Sequence, residues 1–198
     1  MKQASAVFLD RDGILNELVH YADWGEMESP REPEALRIRE GVPEALLELT
    51  LAGWSLFVVS NQPSYAKGKT SLENLKAVHA RLEVHLAQRQ IRFKAALYCF
   101  HHPNGVVSAV SGFCTCRKPK PGLLLKAAAE HKLDLASCWM VGDQDSDVEC
   151  GAAAGTRTIL VPNEHSAAKR GRSAPHVIAR DLKTAVRVIL QTEESKAL

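Results

Sequence analysis

The chain has 198 residues, a formal charge of +2, 45% apolar and 24% charged residues. That length supports one domain with a self-sufficient core, and the near-neutral balance gives no reason to expect a polyanionic partner such as nucleic acid. No run approaches the roughly 18 apolar residues that span a bilayer, and the start, MKQASAVFLDRDG, lacks the apolar stretch of a signal peptide. A cytoplasmic monomer without a membrane partner is expected. The 5 cysteines, an odd count without an export signal, argue for reduced thiols or metal ligation over a disulfide framework.

In chain order, short apolar runs at residues 6–10, 55–60, 95–100, 138–142 and 157–161 alternate with helical patterns at 43–52, 72–90, 122–131 and 147–154. Near-continuous apolarity marks strands covered on both faces, and the helices between them carry apolar residues at helical spacing. Ser71 with Asn74, Pro43 and Pro121 are helix-start signals. The pattern predicts a doubly wound, Rossmann-like α/β fold with a parallel sheet and helices on both faces. Residues 1–190 form its one domain, and residues 191–198 a flexible tail. Residues 17–40, with Trp24, Pro30 and Pro33, read as a long loop or flap of the kind that carries function inside a compact domain. Cys138 and Cys150 lie in apolar or helical context and are expected in the core.

The strand ends concentrate chemistry. In parallel α/β sheets ligands bind outside the carboxyl ends of the strands. The first strand ends in Asp10, with Asp12 and Gly13 after it; the second ends in Ser60 and Asn61; the fourth ends in Asp143, followed by Asp145 and Asp147. Lys118 stands just before a helix, whose positive end adds to its pull on an anion. Taken singly, each is an ordinary turn or cap. The ordered set points to phosphoryl chemistry. Carboxylates Asp10, Asp12 and Asp143 suit a hard divalent cation of the Mg²⁺ type, Ser60 and Lys118 suit phosphoryl oxygens, and Asp12 suits general acid and base work beside a nucleophilic Asp10.

The stretches FLDRDG, VVSNQ, CRKPKPG and MVGDQDSD resemble the four ordered motifs of the haloacid dehalogenase-like phosphatases, over most of the chain. The resemblance implies that Asp10 is phosphorylated transiently and that Asp12 is the acid/base. It also implies that Ser60 and Lys118 stabilise the phosphoryl group, that Asn61 faces substrate, and that Asp10, the Asp12 backbone carbonyl and Asp143 bind Mg²⁺ with Asp147 behind them.

Between the third strand and Lys118, Cys99-x-His101 and Cys114-x-Cys116 bracket a long loop. Two close pairs of thiol and imidazole ligands suit a closed tetrahedral structural Zn²⁺ site over residues 99–116, with His102 an alternative to His101. A redox pair is disfavoured because Cys-x-x-Cys is absent; a zinc module for nucleic acid lacks a stacking platform. The loop is similar to that of the D-glycero-D-manno-heptose 1,7-bisphosphate phosphatase family, capless enzymes in which the residue at Arg117 contacts a small phosphorylated sugar. The related histidinol-phosphate phosphatases carry a shorter loop. Ile14, Pro63, Ser64, Tyr65 and Gln144 depart from the family's usual residues. The reading from outside this chemistry is a non-catalytic zinc-containing interaction module.

Overall fold

The computed structural model describes residues 5–22 and 25–194, so Asp23 and Trp24 of the expected flap, and residues 195–198 of the expected tail, lie outside it. The elements are β1 (Ala6–Leu9), β2 (Val19–Tyr21), β3 (Glu26–Glu28), α1 (Val42–Leu51), β4 (Ser55–Asn61), α2 (Leu72–Ala87), β5 (Ala95–Cys99), α3 (Gly122–His131), β6 (Trp139–Gly142), α4 (Asp145–Ala154), β7 (Arg157–Leu160), β8 (Val177–Ile178) and α5 (Leu182–Glu194). Six of the strands form one sheet in the order β5-β4-β1-β6-β7-β8, all parallel.

Alternation along β1 divides the core. Val7 and Leu9 pack with Val58, Val141 and the apolar sides of α1, α2 and α5, whereas Ala6 and Phe8 pack with Phe57, Met140 and those of α3 and α4. A parallel strand buried on both faces has no polar side to spare, which is why β1, β4 and β6 read as unbroken apolar runs. The expected helix starts are present: Ser71 Oγ accepts from Asn74 N at 3.0 Å, and Pro43 stands in the first turn of α1. Cys138 and Cys150 are fully buried.

Two expectations change. Part of the 17–40 segment is a hairpin, with β2 and β3 antiparallel and Val19 opposite Glu28. Glu28 ties it to the body through Lys69 at 2.6 Å and Arg31 at 2.5 Å, and the Arg31 guanidinium sits 3.8 Å from the Tyr21 ring centre. Residues 191–194 are the last turn of α5, where Thr192 Oγ1 donates to Val188 O at 2.7 Å. Leu182, Ala185, Val186 and Ile189 bury the inner stripe of that helix, so packing carries order past residue 190.

Helix α4 approaches β6 and β7 so closely that a Cβ at Gly151 would lie 2.7 Å from both Met140 Cβ and Thr158 Cγ2. Gly151→Ala is expected to cost about 1–3 kcal/mol through overpacking, read as a lower melting temperature with the secondary structure retained. An unchanged melting temperature would contradict this packing.

Candidate active site and metal centres

Strand order puts β1 between β4 and β6, so Asp10, Ser60 and Asp143 leave the sheet side by side at its carboxyl edge. The Asp10 N–H continues the ladder by donating to Val141 O at 2.9 Å. Asp10 and Ser60 line a cleft of about 440 Å³, together with Asp12, Asn61, Arg117 and Lys118 and with Leu18 and Met27 from the 17–40 segment, while Asp143 is fully buried.

Lys118 is the electrostatic centre. Its Nζ lies 3.0 Å from Asp10 Oδ1 and 2.6 Å from Asp147 Oδ1, and donates to Val59 O at 2.8 Å. Burial works against its charge, but the two carboxylates prevail and push its pKa above the usual lysine value. Asn61 fixes the main chain that carries it: its Oδ1 accepts from Lys118 N and its Nδ2 donates to Lys118 O, both at 3.0 Å. The Asn61 amide, expected to face substrate, is therefore occupied in positioning Lys118.

The carboxylates outnumber this cation. Burial raises Asp10 to about 6 against the pull of Lys118, with the charges of Asp147 and Asp12 adding to the rise. Burial, then the charges of Asp10 and Asp147, raise Asp143 to about 8. Both Asp143 oxygens are buried without a hydrogen-bond partner. Asp10, Asp143 and Asp147 each bring an oxygen within 4.8 Å of the others. Three carboxylates against one ammonium leave an excess of negative charge, and oxygen donors of this kind fit a hard divalent cation. Gly13 makes room for it. Its φ is +87°, and a Cβ there would lie 2.7 Å from Asp143 Oδ2.

Asp12 faces elsewhere. Its Oδ1 accepts from Arg11 Nε at 3.1 Å and Asn16 Nδ2 at 3.0 Å, while Oδ2 accepts from Arg11 Nη2 at 3.2 Å and from Gln62 Nε2. Its side chain is thus apart from the acidic cluster of Asp10, Asp143 and Asp147. Arg11, Asn16 and Gln62 were not legible as site residues; the one signal was a charged residue, Arg11, between two aspartates at a buried strand end.

Asp145, at the start of α4, is buried. Burial would raise its pKa, but bonds from Ser173 Oγ and from the N–H groups of Arg172, Ser173 and Gly171 outweigh that and hold it at about 2. This carboxylate pins the segment that brings Lys169 and Arg172 to the cleft.

The second cluster joins Cys99, His101, Cys114 and Cys116. Cys99 Sγ lies 3.6 Å from Cys114 Sγ and 3.2 Å from Cys116 Sγ, and His101 Nδ1 lies 3.9 Å from Cys99 Sγ and 3.5 Å from Cys116 Sγ. Three sulfurs and one imidazole nitrogen drawn this close match the donor set of a four-coordinate soft or borderline metal. His102 is not in the cluster; its Nδ1 accepts from Asn104 N at 3.1 Å. The cluster adjoins the active-site chain directly, and Arg117 Nη1 donates to His101 O at 3.2 Å.

A carboxylate pair at the end of a central parallel strand, a buried lysine and a third carboxylate at a second strand end define a haloacid dehalogenase-like hydrolase, and a model of the HAD-hydrolase-like family matches residues 115–185. A protein of Salmonella typhi named D-glycero-beta-D-manno-heptose-1,7-bisphosphate 7-phosphatase is 33% identical over 190 residues, 94% of this chain and 97% of that one. The D-glycero-D-manno-heptose-1,7-bisphosphate 7-phosphatase of Thermosynechococcus vestitus is 36% identical over 190 residues, 91% of this chain and 93% of that one. The crystal structure of the D,D-heptose 1,7-bisphosphate phosphatase of B. bronchiseptica, complexed with magnesium and phosphate, superposes with a TM-score of 0.79 at 28% identity over 95% of this chain and 99% of that one. The chain belongs to the heptose-1,7-bisphosphate 7-phosphatase family of these hydrolases, and it is a phosphatase. Among the described residues no helix is long and apolar enough to cross a membrane.

The excess acidic charge yields a direct test. Asp143→Asn removes one buried, unpartnered carboxylate, so metal-free protein carrying it is expected to melt higher than metal-free wild type, and to lose the rise in melting temperature that a divalent cation gives the wild type. A lower melting temperature in metal-free protein would show that burying the unpartnered Asp143 carboxyl is not destabilising.

Proposed function

We propose that this phosphatase removes the 7-phosphate of D-glycero-D-manno-heptose 1,7-bisphosphate in the cytoplasm and leaves the 1-phosphate. The observation that carries the reading is the buried group of Asp10, Lys118, Asp147 and Asp143, of which Asp10 and Lys118 line the cleft. The names of relatives that span nearly the whole chain supply the sugar.

Asp10 attacks phosphorus through a carboxylate oxygen as the bond from phosphorus to the sugar oxygen breaks, and a proton from Asp12 makes that oxygen an alcohol. Water then attacks the aspartyl phosphate and gives its proton to Asp12, releasing inorganic phosphate and regenerating Asp10. Lys118 and Ser60 hold the phosphoryl oxygens throughout. Arg117 binds the substrate from the wall. Asp10, Asp143 and the Asp12 carbonyl are the residues that would hold Mg²⁺, which supplies positive charge that relieves repulsion between carboxylate and phosphate. Cys99, His101, Cys114 and Cys116 would hold a structural Zn²⁺ that ties down the chain entering Arg117 and Lys118.

Asp10→Asn is expected to abolish turnover of any phosphomonoester while folding persists, and Asp12→Asn to lower it by about 10²–10⁴-fold on alkyl phosphates; full activity in either would overturn its assigned role. Specificity constants should rank heptose 1,7-bisphosphate above hexose bisphosphates and histidinol phosphate, and a preference for histidinol phosphate would reassign the substrate. Protein purified without chelators should contain about one equivalent of zinc, and Cys116→Ser should lower metal content, melting temperature and phosphatase activity together. Elemental analysis that finds no zinc in fully active protein would refute the zinc site.

A further inference from the structure

Arg11 is the largest fully buried side chain of the described residues. Burying a guanidinium is costly unless its charge and donors are matched, so its partners indicate what it is for. Its one ion-pair partner is Asp12, reached through Nε and Nη2. Nη2 also donates to Gln62 Oε1 at 2.8 Å, and the guanidinium carbon lies 5.5 Å from the centre of the Tyr98 ring. That ring is fixed from behind, with Tyr98 Oη 2.8 Å from His79 Nδ1 and His79 Nε2 3.4 Å from Glu83. The base of the clamp is therefore assembled from β4, β5 and α2, while its working end meets a carboxylate that lines the cleft.

The four donors on Asp12 are not equivalent. The two from Arg11 are charged and run in parallel, which makes them the stronger and more directional pair. Those from Asn16 and Gln62 are neutral amides. Gln62 Nε2 also donates to Ser60 Oγ at 3.2 Å, so the amide stays held on the phosphoryl side when it gives up Asp12 Oδ2. A carboxylate has about four acceptor sites, and all four are engaged here. Proton transfer at Asp12 needs one of them vacated; Asn16 Nδ2 also donates to Glu17 O at 2.8 Å, and Gln62 is the neutral donor that stands beside Ser60 on the phosphoryl side.

We propose that Arg11 is a positioning residue, anchoring the Asp12 carboxylate at two points on a seat of Tyr98 so that release of the Gln62 amide exposes one oxygen to the reacting water. This rests on the reading of Asp12 as the proton-transfer group. In the step concerned, water's oxygen bonds to phosphorus, its proton goes to the exposed Asp12 oxygen, and the bond from Asp10 to phosphorus breaks with its electrons returning to Asp10.

Nitrophenyl phosphate isolates this step, because its leaving group departs as a stable anion and formation of the aspartyl phosphate needs no proton. For Arg11→Lys and Arg11→Met, kcat on nitrophenyl phosphate should fall by about tenfold or more, while kcat/KM stays within about twofold of wild type. Phosphoenzyme should accumulate by intact-mass measurement in acid-quenched reactions, and Lys should be less damaging than Met. Tyr98→Leu removes the seat without touching the charge and should show the same split more weakly; it decides the matter if the Arg11 variants fail to fold. A parallel loss of kcat and kcat/KM without accumulated phosphoenzyme would overturn the proposal. Asp12→Asn, run alongside, separates the two levels: wild-type turnover there sinks the proton-transfer reading itself, whereas stalled phosphoenzyme in Asp12→Asn but not in the Arg11 or Tyr98 variants sinks only the role of Arg11.

Discussion

The active site depends on one buried ammonium group. Lys118 holds Asp10 and Asp147 at hydrogen-bond distance, all three side chains being buried. Without it, the carboxylates at the ends of β1 and β6 would repel one another in a low-dielectric setting, where such repulsion is strong. Its own desolvation is offset by two carboxylates and the Val59 carbonyl. The rest of the local architecture keeps this side chain in place: Asn61 grips its main chain from β4, and the cysteine and histidine cluster restrains the residues immediately before it.

Lys118 balances the acidic group only in part. Asp143 keeps two buried oxygens without partners, a state a folded protein tolerates where a cation completes the site. The glycine at residue 13 and the capping contact of Asp147 Oδ2 with Gln144 N at 3.1 Å shape the surroundings to bring oxygens together.

Residues whose position follows from strand polarity were legible in the sequence. Asp10, Ser60 and Asp143 end apolar runs, and parallel strands must present their ends on one edge. The paired thiols and imidazole were legible because few other uses explain that spacing. Side-chain direction was not. Asp12 sits two residues from Asp10, yet its carboxylate turns to Arg11, Asn16 and Gln62, an arrangement that depends on β4, which leads into Gln62, lying beside β1. Nor can the sequence reveal that Asn61, which lines the cleft, also bonds the main chain of Lys118. The β2–β3 hairpin escaped notice because three-residue strands leave too little alternation to separate from a loop. Helix α5 was overlooked although Leu182, Ala185, Val186 and Ile189 have helical spacing; Val186, Val188 and Ile189 are β-branched and weigh against a helix in isolation.

The bonds that Asp145 accepts from residues 171–173 bear on how tightly the cleft can hold a ligand. A surface segment of basic residues normally loses conformational freedom when it closes on an anion, and that loss is subtracted from affinity. Here the backbone that carries Lys169 and Arg172 is fastened to the start of α4 by a carboxylate within the protein, so its ordering takes place during folding. Only the side-chain torsions remain to be fixed on binding, which leaves more of each ionic contact to appear as affinity.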